Sequence, residues 1–151
     1  MRIEISIDVD APPEDVWYWL GDPERARTWM TSVGRTEYIT RTPELIGSTF
    51  REYIQEEGQG TWLTGEILDY VPNQRMAVHL EGDFNVVDVV FCLEEVDGIT
   101  RVTQTADMRF KGLLRLTSLI FGRAIKRNII RQSSGEFQAL KALCLADDHG
   151  G

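Results

Sequence analysis

Two short helices announced back to back, between a strand and a long run of further strands, constrain this chain more than any other feature. Residues 11–29 read Ala-Pro-Pro-Glu-Asp-Val-Trp-Tyr-Trp-Leu-Gly-Asp-Pro-Glu-Arg-Ala-Arg-Thr-Trp. Pro12 and Pro13 set φ where a helix begins, and Glu14 and Asp15 place negative charge at its positive end. Val16, Trp17 and Leu20 stand three and four apart and share one face. Gly21 stops that helix. Asp22 then caps a second one, with Pro23 in its first position and Glu24 in its first turn. Trp29 is expected to close it.

The flanking segments read as strands. Ile3, Ile5, Ile7 and Val9 alternate with Glu4, Ser6 and Asp8, the pattern of a half-buried strand. Further strands are expected at 33–41, 47–56, 61–71, 75–81, 85–96 and 99–110. They are punctuated by Gly58-Gln59-Gly60, Pro72-Asn73, Gly82-Asp83 and the tight-hairpin signal Asp97-Gly98. Short connections force antiparallel pairing. The expectation is therefore a single α+β domain over residues 1–146, with a seven-stranded antiparallel sheet. Residues 147–151, with His149, read as a frayed tail.

A last helix from about 112 to 145 carries Leu114, Phe121, Ile125, Ile129, Phe137, Leu140 and Cys144 at steps of three, four, seven or eight, one continuous apolar stripe. Gln132-Ser133-Ser134-Gly135 interrupts it with small or polar groups. That stretch reads as close helix–sheet packing, as a kink, or as room between helix and sheet. Leu113, Leu116, Leu119 and Ile120 add apolar groups that one face cannot hold. They are covered by the small helices or the 42–46 loop, or they meet a partner.

In order and in residues, the chain resembles the polyketide cyclase/dehydratase branch of the START-like, or birch-pollen-allergen-like, superfamily. The resemblance rests on the first strand, on Ala11-Pro12-Pro13-Glu14-Asp15-Val16-Trp17, on Asp22-Pro23-Glu24 with Trp29, on Val33 and Gly47-Ser48-Thr49, on Gly65-Glu66-Ile67-Leu68-Asp69-Tyr70-Val71-Pro72, and on the final helix. It implies a helix-grip fold, in which the sheet wraps around the terminal helix and encloses an apolar cavity. It implies no single activity, since members bind lipids, hormones, polyketides or aromatic compounds and some are cyclases.

On that footing the expected function is binding or transport of a hydrophobic or aromatic small molecule. The alternatives are a cyclase or dehydratase using an inward carboxylate, and a protein-interaction or regulatory module. Trp29 and Trp62 are candidate aromatic lining, and Phe91, Met108, Phe121, Ile125, Ile129, Ser133 and Phe137 complete the expected wall. Gln104 shares the parity of Val102, Ala106 and Met108 and would orient a ligand hydroxyl or carbonyl. Glu66 is the candidate catalytic group. Were it inside, desolvation would favour its neutral form and suit it to acid–base chemistry.

Other chemistries lack support. His79 alternates with Met76, Val78 and Leu80 and should face solvent. No serine-hydrolase elbow, phosphate loop or dinucleotide fingerprint appears, and Cys92 and Cys144 have no metal-ligand spacing, so no cofactor or metal is expected. Two cysteines and an opening that enters a strand at once point to a cytoplasmic setting. The net charge of −8 argues against nucleic acid. It is uneven. Residues 111–141 hold seven basic residues against the single acid Glu136, for +6, which leaves −14 on the rest. That basic, apolar stretch makes 111–127 the expected surface for a second copy or for peripheral contact with an anionic membrane.

Overall fold

A computed structural model describes residues 1–56 and 59–146. The order is β1 (Arg2–Val9), α1 (Pro13–Leu20), α2 (Pro23–Ala26), β2 (Val33–Thr40), β3 (Thr49–Glu56), β4 (Gln59–Val71), β5 (Arg75–Glu81), β6 (Asn85–Val96), β7 (Ile99–Phe110) and α3 (Leu113–Ala146). The seven strands form one antiparallel sheet in the order β1-β7-β6-β5-β4-β3-β2. The break after β1, filled by α1 and α2, sends the chain from one edge of the sheet to the other. The residues after Val96 make a tight hairpin, with both Asp97 and Gly98 at positive φ. The expected turn around Gly58 and the tail from 147, including His149, lie wholly or partly outside the described residues.

The double start signal works as read. Pro12 occupies the N-cap of α1 in extended conformation, and the Asp22 side chain accepts from the Glu24 amide at 2.9 Å. Gly21 has an ordinary φ, so its role is space. A Cβ there would sit 2.4 Å from the Trp17 indole. The second helix is only four residues long, and Trp29 lies beyond its end, not in its last turn. There it is almost fully buried, donates through Nε1 to the Trp19 carbonyl at 2.9 Å, and tilts against Phe137.

The core is concentrated at one end. Val16, Trp17 and Leu20 of α1, with Ala26 and Trp29, pack with Val9, Leu93 and Val102 and with Phe137, Leu140 and Cys144 of α3. Burying residues of this kind stabilises by about 1.5–3 kcal/mol each. Only this second half of α3 is buried. Leu114 and Phe121 of the expected stripe are exposed, and Leu113, Leu116, Leu119 and Ile120 are uncovered by α1, α2 or the 42–46 loop. The stripe is continuous in sequence, but α3 approaches β1, α1 and β7 and does not approach β2–β5 comparably.

Candidate functional site: the groove between the sheet and the last helix

Cross-strand register identifies the face that meets α3. Ile5 pairs with Gln104, Gln104 with Phe91, Phe91 with Met76, and Ala106 with Val89 and Ile3. Val78 pairs with Ile67 and Leu80 with Gly65, which in turn faces Phe50. Gly65 has no side chain because the Phe50 ring lies over it. A Cβ would stand 2.4 Å from that ring. Beyond Phe50 the inner face continues through Tyr38, Thr36 and Glu52. Many of these groups are half-buried and not sealed, among them Ile5, Thr36, Tyr38, Met76, Val78, Leu80, Gln104 and Met108. An apolar concave face, covered along β1 and β7 and open over the β2–β5 wing, is a groove.

Glu52 is the acid this groove contains. It pairs with Leu63 on one side and Thr36 on the other, so it shares the inner face with Phe50 and Leu63. It has no hydrogen bond or ion pair among the described residues, and the only fully enclosed unpartnered side-chain nitrogen or oxygen among them is Trp19 Nε1. The Glu52 oxygens therefore border space that water enters. Burial alone pushes its carboxyl up to about 7. A second acid, Glu136, reaches from α3 to the start of β2. It accepts from the Ser32 amide at 3.2 Å and the Ser32 hydroxyl at 3.1 Å, pinning the helix across the open side. Burial raises its pKa, and the Ser32 contacts pull it back.

The expected catalytic residue is corrected by this register. Glu66 is exposed on the outer face, opposite His79 and Thr49. Trp62 points outward too, tilted against Tyr53 with the Arg51 guanidinium 4.4 Å from its ring centre. The physical reason is plain alternation, since Leu63, Gly65 and Ile67 hold the inward positions; an extra residue follows only later. Ile67 pairs with Val78 and Asp69 with Ala77, so Leu68 bulges out and the alternation reverses there. Leu63, Gly65 and Ile67 face inward before the bulge and Tyr70 after it, which no single parity across β4 reproduces. His79 lies on the outer face as expected, half-buried, with Nδ1 2.6 Å from Asp88, and that hydrogen bond raises its pKa. Asp88 also meets Arg109 at 3.1 Å.

The remaining expected residues divide. Phe91 and Phe137 are buried, Gln104 and Met108 are half-buried on the inner face, and Trp29 belongs to the core beside Phe137. Ile125, Ile129 and Ser133 are half-buried on α3, whereas Ser134 and Gly135 are exposed, so Ser133 alone of that small-residue stretch turns inward. Phe121 lies 58% exposed, away from any wall. Sequence reasoning missed Glu52, although Phe50, Glu52 and Ile54 alternate in plain view. The Cys144 thiol is pushed up to about 11 by burial, an inert group. Among the described residues no cluster of His, Cys, Asp or Glu is placed to hold a metal ion, and no helix is long and apolar enough to cross a membrane.

Two hollows open at the margins of this face, the first sharing Thr36 and Tyr38 with it and the second Met108. One, of about 480 Å³, lies between α1, α2 and β2 and includes Tyr18, Tyr38, Tyr70, Arg25 and Arg41. The Tyr70 hydroxyl closes its back, accepting from Trp17 Nε1 at 3.3 Å and donating to the Gly21 carbonyl at 3.0 Å. The other, of about 560 Å³, lies where β1 and β7 meet the start of α3.

A seven-stranded antiparallel sheet holding a long C-terminal helix, with two short helices after the first strand, is the helix-grip architecture of START-like proteins. The fold superposes on a START superfamily protein from Mycobacterium smegmatis with a TM-score of 0.79 at 16% identity, over 96% of this chain and 97% of that one. It superposes on the ZhuI aromatase/cyclase from Streptomyces sp. R1128 with a TM-score of 0.81 at 16% identity, over 100% and 98%. At such identities the likeness concerns the fold. The model of the family described as polyketide cyclase / dehydrase and lipid transport matches residues 1–144, and the chain belongs to that family. Over 83 residues it is 29% identical to Toxin Rv0910 of Mycobacterium tuberculosis strain H37Rv, covering 54% of this chain and 56% of the toxin. The match spans about half the length of that curated relative.

Proposed function

We propose that this protein binds a hydrophobic or aromatic small molecule, lipid-like or polyketide-like, in the groove between the inner sheet face and α3. The observation that carries the reading is an apolar inner face left half-accessible around one unpaired acid. Ligand sites have this make-up, mostly apolar with a few polar groups that fix orientation. Gln104 offers a neutral amide near Phe91, and Glu52 offers a carboxyl that donates or accepts according to pH. Membership in a family described by lipid transport and polyketide cyclisation accords with this ligand class. The test is titration with an apolar environment-sensitive dye, expected to bind with one-to-one stoichiometry. Ser133→Trp fills the space below α3 and should weaken binding at least about tenfold while leaving the melting temperature within a few degrees. Failure of the wild type to bind any apolar probe rejects the reading.

Glu52 favours a second reading, a cyclase or dehydratase. A general acid or base works best with a pKa near the operating pH, and this carboxyl titrates at about 7. Glu52→Gln keeps the shape and removes the proton transfer, so turnover of any substrate should fall by about 10²–10⁴ with ligand affinity retained. Unchanged turnover removes Glu52 from catalysis. Residues 111–127 form the partner surface in this proposal, toward either a second copy or a membrane. The free state of both cysteines accords with a cytoplasmic setting.

A further inference from the structure

We propose that the first half of α3, together with the hollow at its base, docks on an anionic phospholipid membrane. The inference rests on the reading that residues 111–127 meet a partner, and it names which one.

The apolar side chains are in the wrong place for a core. Leu113 is 82% exposed, Leu119 78%, Ile120 77% and Leu116 60%. In the second half of the helix, Ser133, Phe137, Leu140 and Cys144 follow one line that faces the protein. Carried back in steps of three and four, that line passes through the half-buried Ile129, Ile125, Gly122 and Ser118. That line carries no charge; Arg115, Arg123, Lys126 and Arg127 are exposed, and Leu113, Leu116 and Ile120 gather on the side turned away from the half-buried positions. A helix that only had to pack on its own sheet would not also carry three large apolar groups on its far side.

Charge selects the occupant. Between 111 and 135 there are six cations and no acid. Lys111 reaches the Gly82 carbonyl at 3.0 Å, and Arg115, Arg123, Lys126 and Arg127 have no ion-pair partner among the described residues. A second copy docking by this face would set two such helices against each other with like charges opposed. An anionic bilayer answers both halves of the pattern at once, with its acyl region taking the leucines and its phosphates the arginines. The hollow of about 560 Å³ opens beside this face, lined by Met1, Met108, Phe110 and Leu119 with Arg115 and Ser118. An apolar floor with an unpaired guanidinium and a hydroxyl suits a single lipid, chain inward and phosphate at Arg115. Its Arg109 is already held by Asp88.

The experiment is co-sedimentation of the full chain with phosphatidylcholine vesicles, with and without phosphatidylglycerol. Binding is expected only to the anionic vesicles and should weaken at least about tenfold in high salt. Leu116→Glu with Ile120→Glu, and separately Arg115→Glu with Arg123→Glu, should each reduce it about tenfold or more. These sites are exposed, so melting temperature and dye binding in the absence of vesicles should stay as in the wild type. Retained dye binding without vesicle binding overturns the membrane proposal and leaves the groove reading intact. Equal binding to neutral vesicles, or a concentration-dependent dimer that the leucine and isoleucine changes dissolve, also overturns it.

Discussion

Glu52 and Glu66 sit on adjacent strands, and only the direction of the side chain separates a poised acid from a solvated one. The difference has a thermodynamic signature. With its folded value raised to about 7 from 4.5, Glu52 keeps its proton in the folded protein while the unfolded chain has already lost it. Stability present below pH 4.5 is therefore lost progressively as pH rises to about 7, and the loss is constant above that. At about 1.4 kcal/mol per unit, and softened by the accessible groove, the loss is on the order of 1–3 kcal/mol. Glu52→Gln should thus gain stability over the wild type at pH 8 and none at pH 4, read from paired chemical melts. His79 moves in the same direction, because a raised histidine stabilises below about 6.5 and loses that contribution as pH rises through its folded value. Both proteins carry His79, so it cancels in the comparison. An equal pH dependence of the two proteins would mean that Glu52 is solvated like Glu66. The inward Glu52 was legible, since Phe50-Glu52-Ile54 is plain alternation. The outward Glu66 was not, because apolar Trp62 and Leu68 share its parity and compete with Leu63 and Ile67 for the inner face, and the bulge at Leu68 then turns Tyr70 inward.

Among the elements, the two small helices were written most clearly, since proline, an acidic first turn and an Asx cap each act within four residues. α3 was legible in existence and length but not in what it buries. Thirty-four residues at 1.5 Å per residue span roughly 50 Å, more than its contacts with β1, β7 and α1 cover. A repeat of apolar positions encodes a face, not where the partner of that face ends. Gly135 separates local from tertiary effects. It lies inside the helix, exposed, and a Cβ there would meet nothing within 4 Å. Gly135→Ala should stabilise by about 0.5–1 kcal/mol and raise the melting temperature by roughly 2–4 °C. Gly21→Ala should do the reverse, losing about 1–3 kcal/mol, because the Trp17 indole already occupies the space. If Gly135→Ala were destabilising by a similar amount, α3 would have to be kinked or packed at that point.

At the scale of the molecule, stability and function occupy opposite ends. The buried set from α1, Trp29 and the last three turns of α3 packs on the β1, β7 and β6 side of the sheet. Glu136 and Ser32 add the clasp to β2. Past that clasp, toward the start of α3, nothing comparable among the described residues holds the helix, and the inner face opens. Opening free energies follow buried apolar contact, so the two halves of one continuous helix should differ. Amides of residues 136–144 should exchange only with global unfolding. Those of 113–127 should exchange by local fraying, roughly 10²-fold or more faster, since each 1.4 kcal/mol of tertiary packing is worth about a factor of ten. A groove ligand that touches Ile129 and Ser133 should slow exchange in the middle of the helix, and anionic vesicles should slow it in the first half. These are separable footprints on one element. Uniform protection along all of α3 in the free protein would show the first half packed after all. The leucines would then be core, and both the open groove and the docking face would lose their basis.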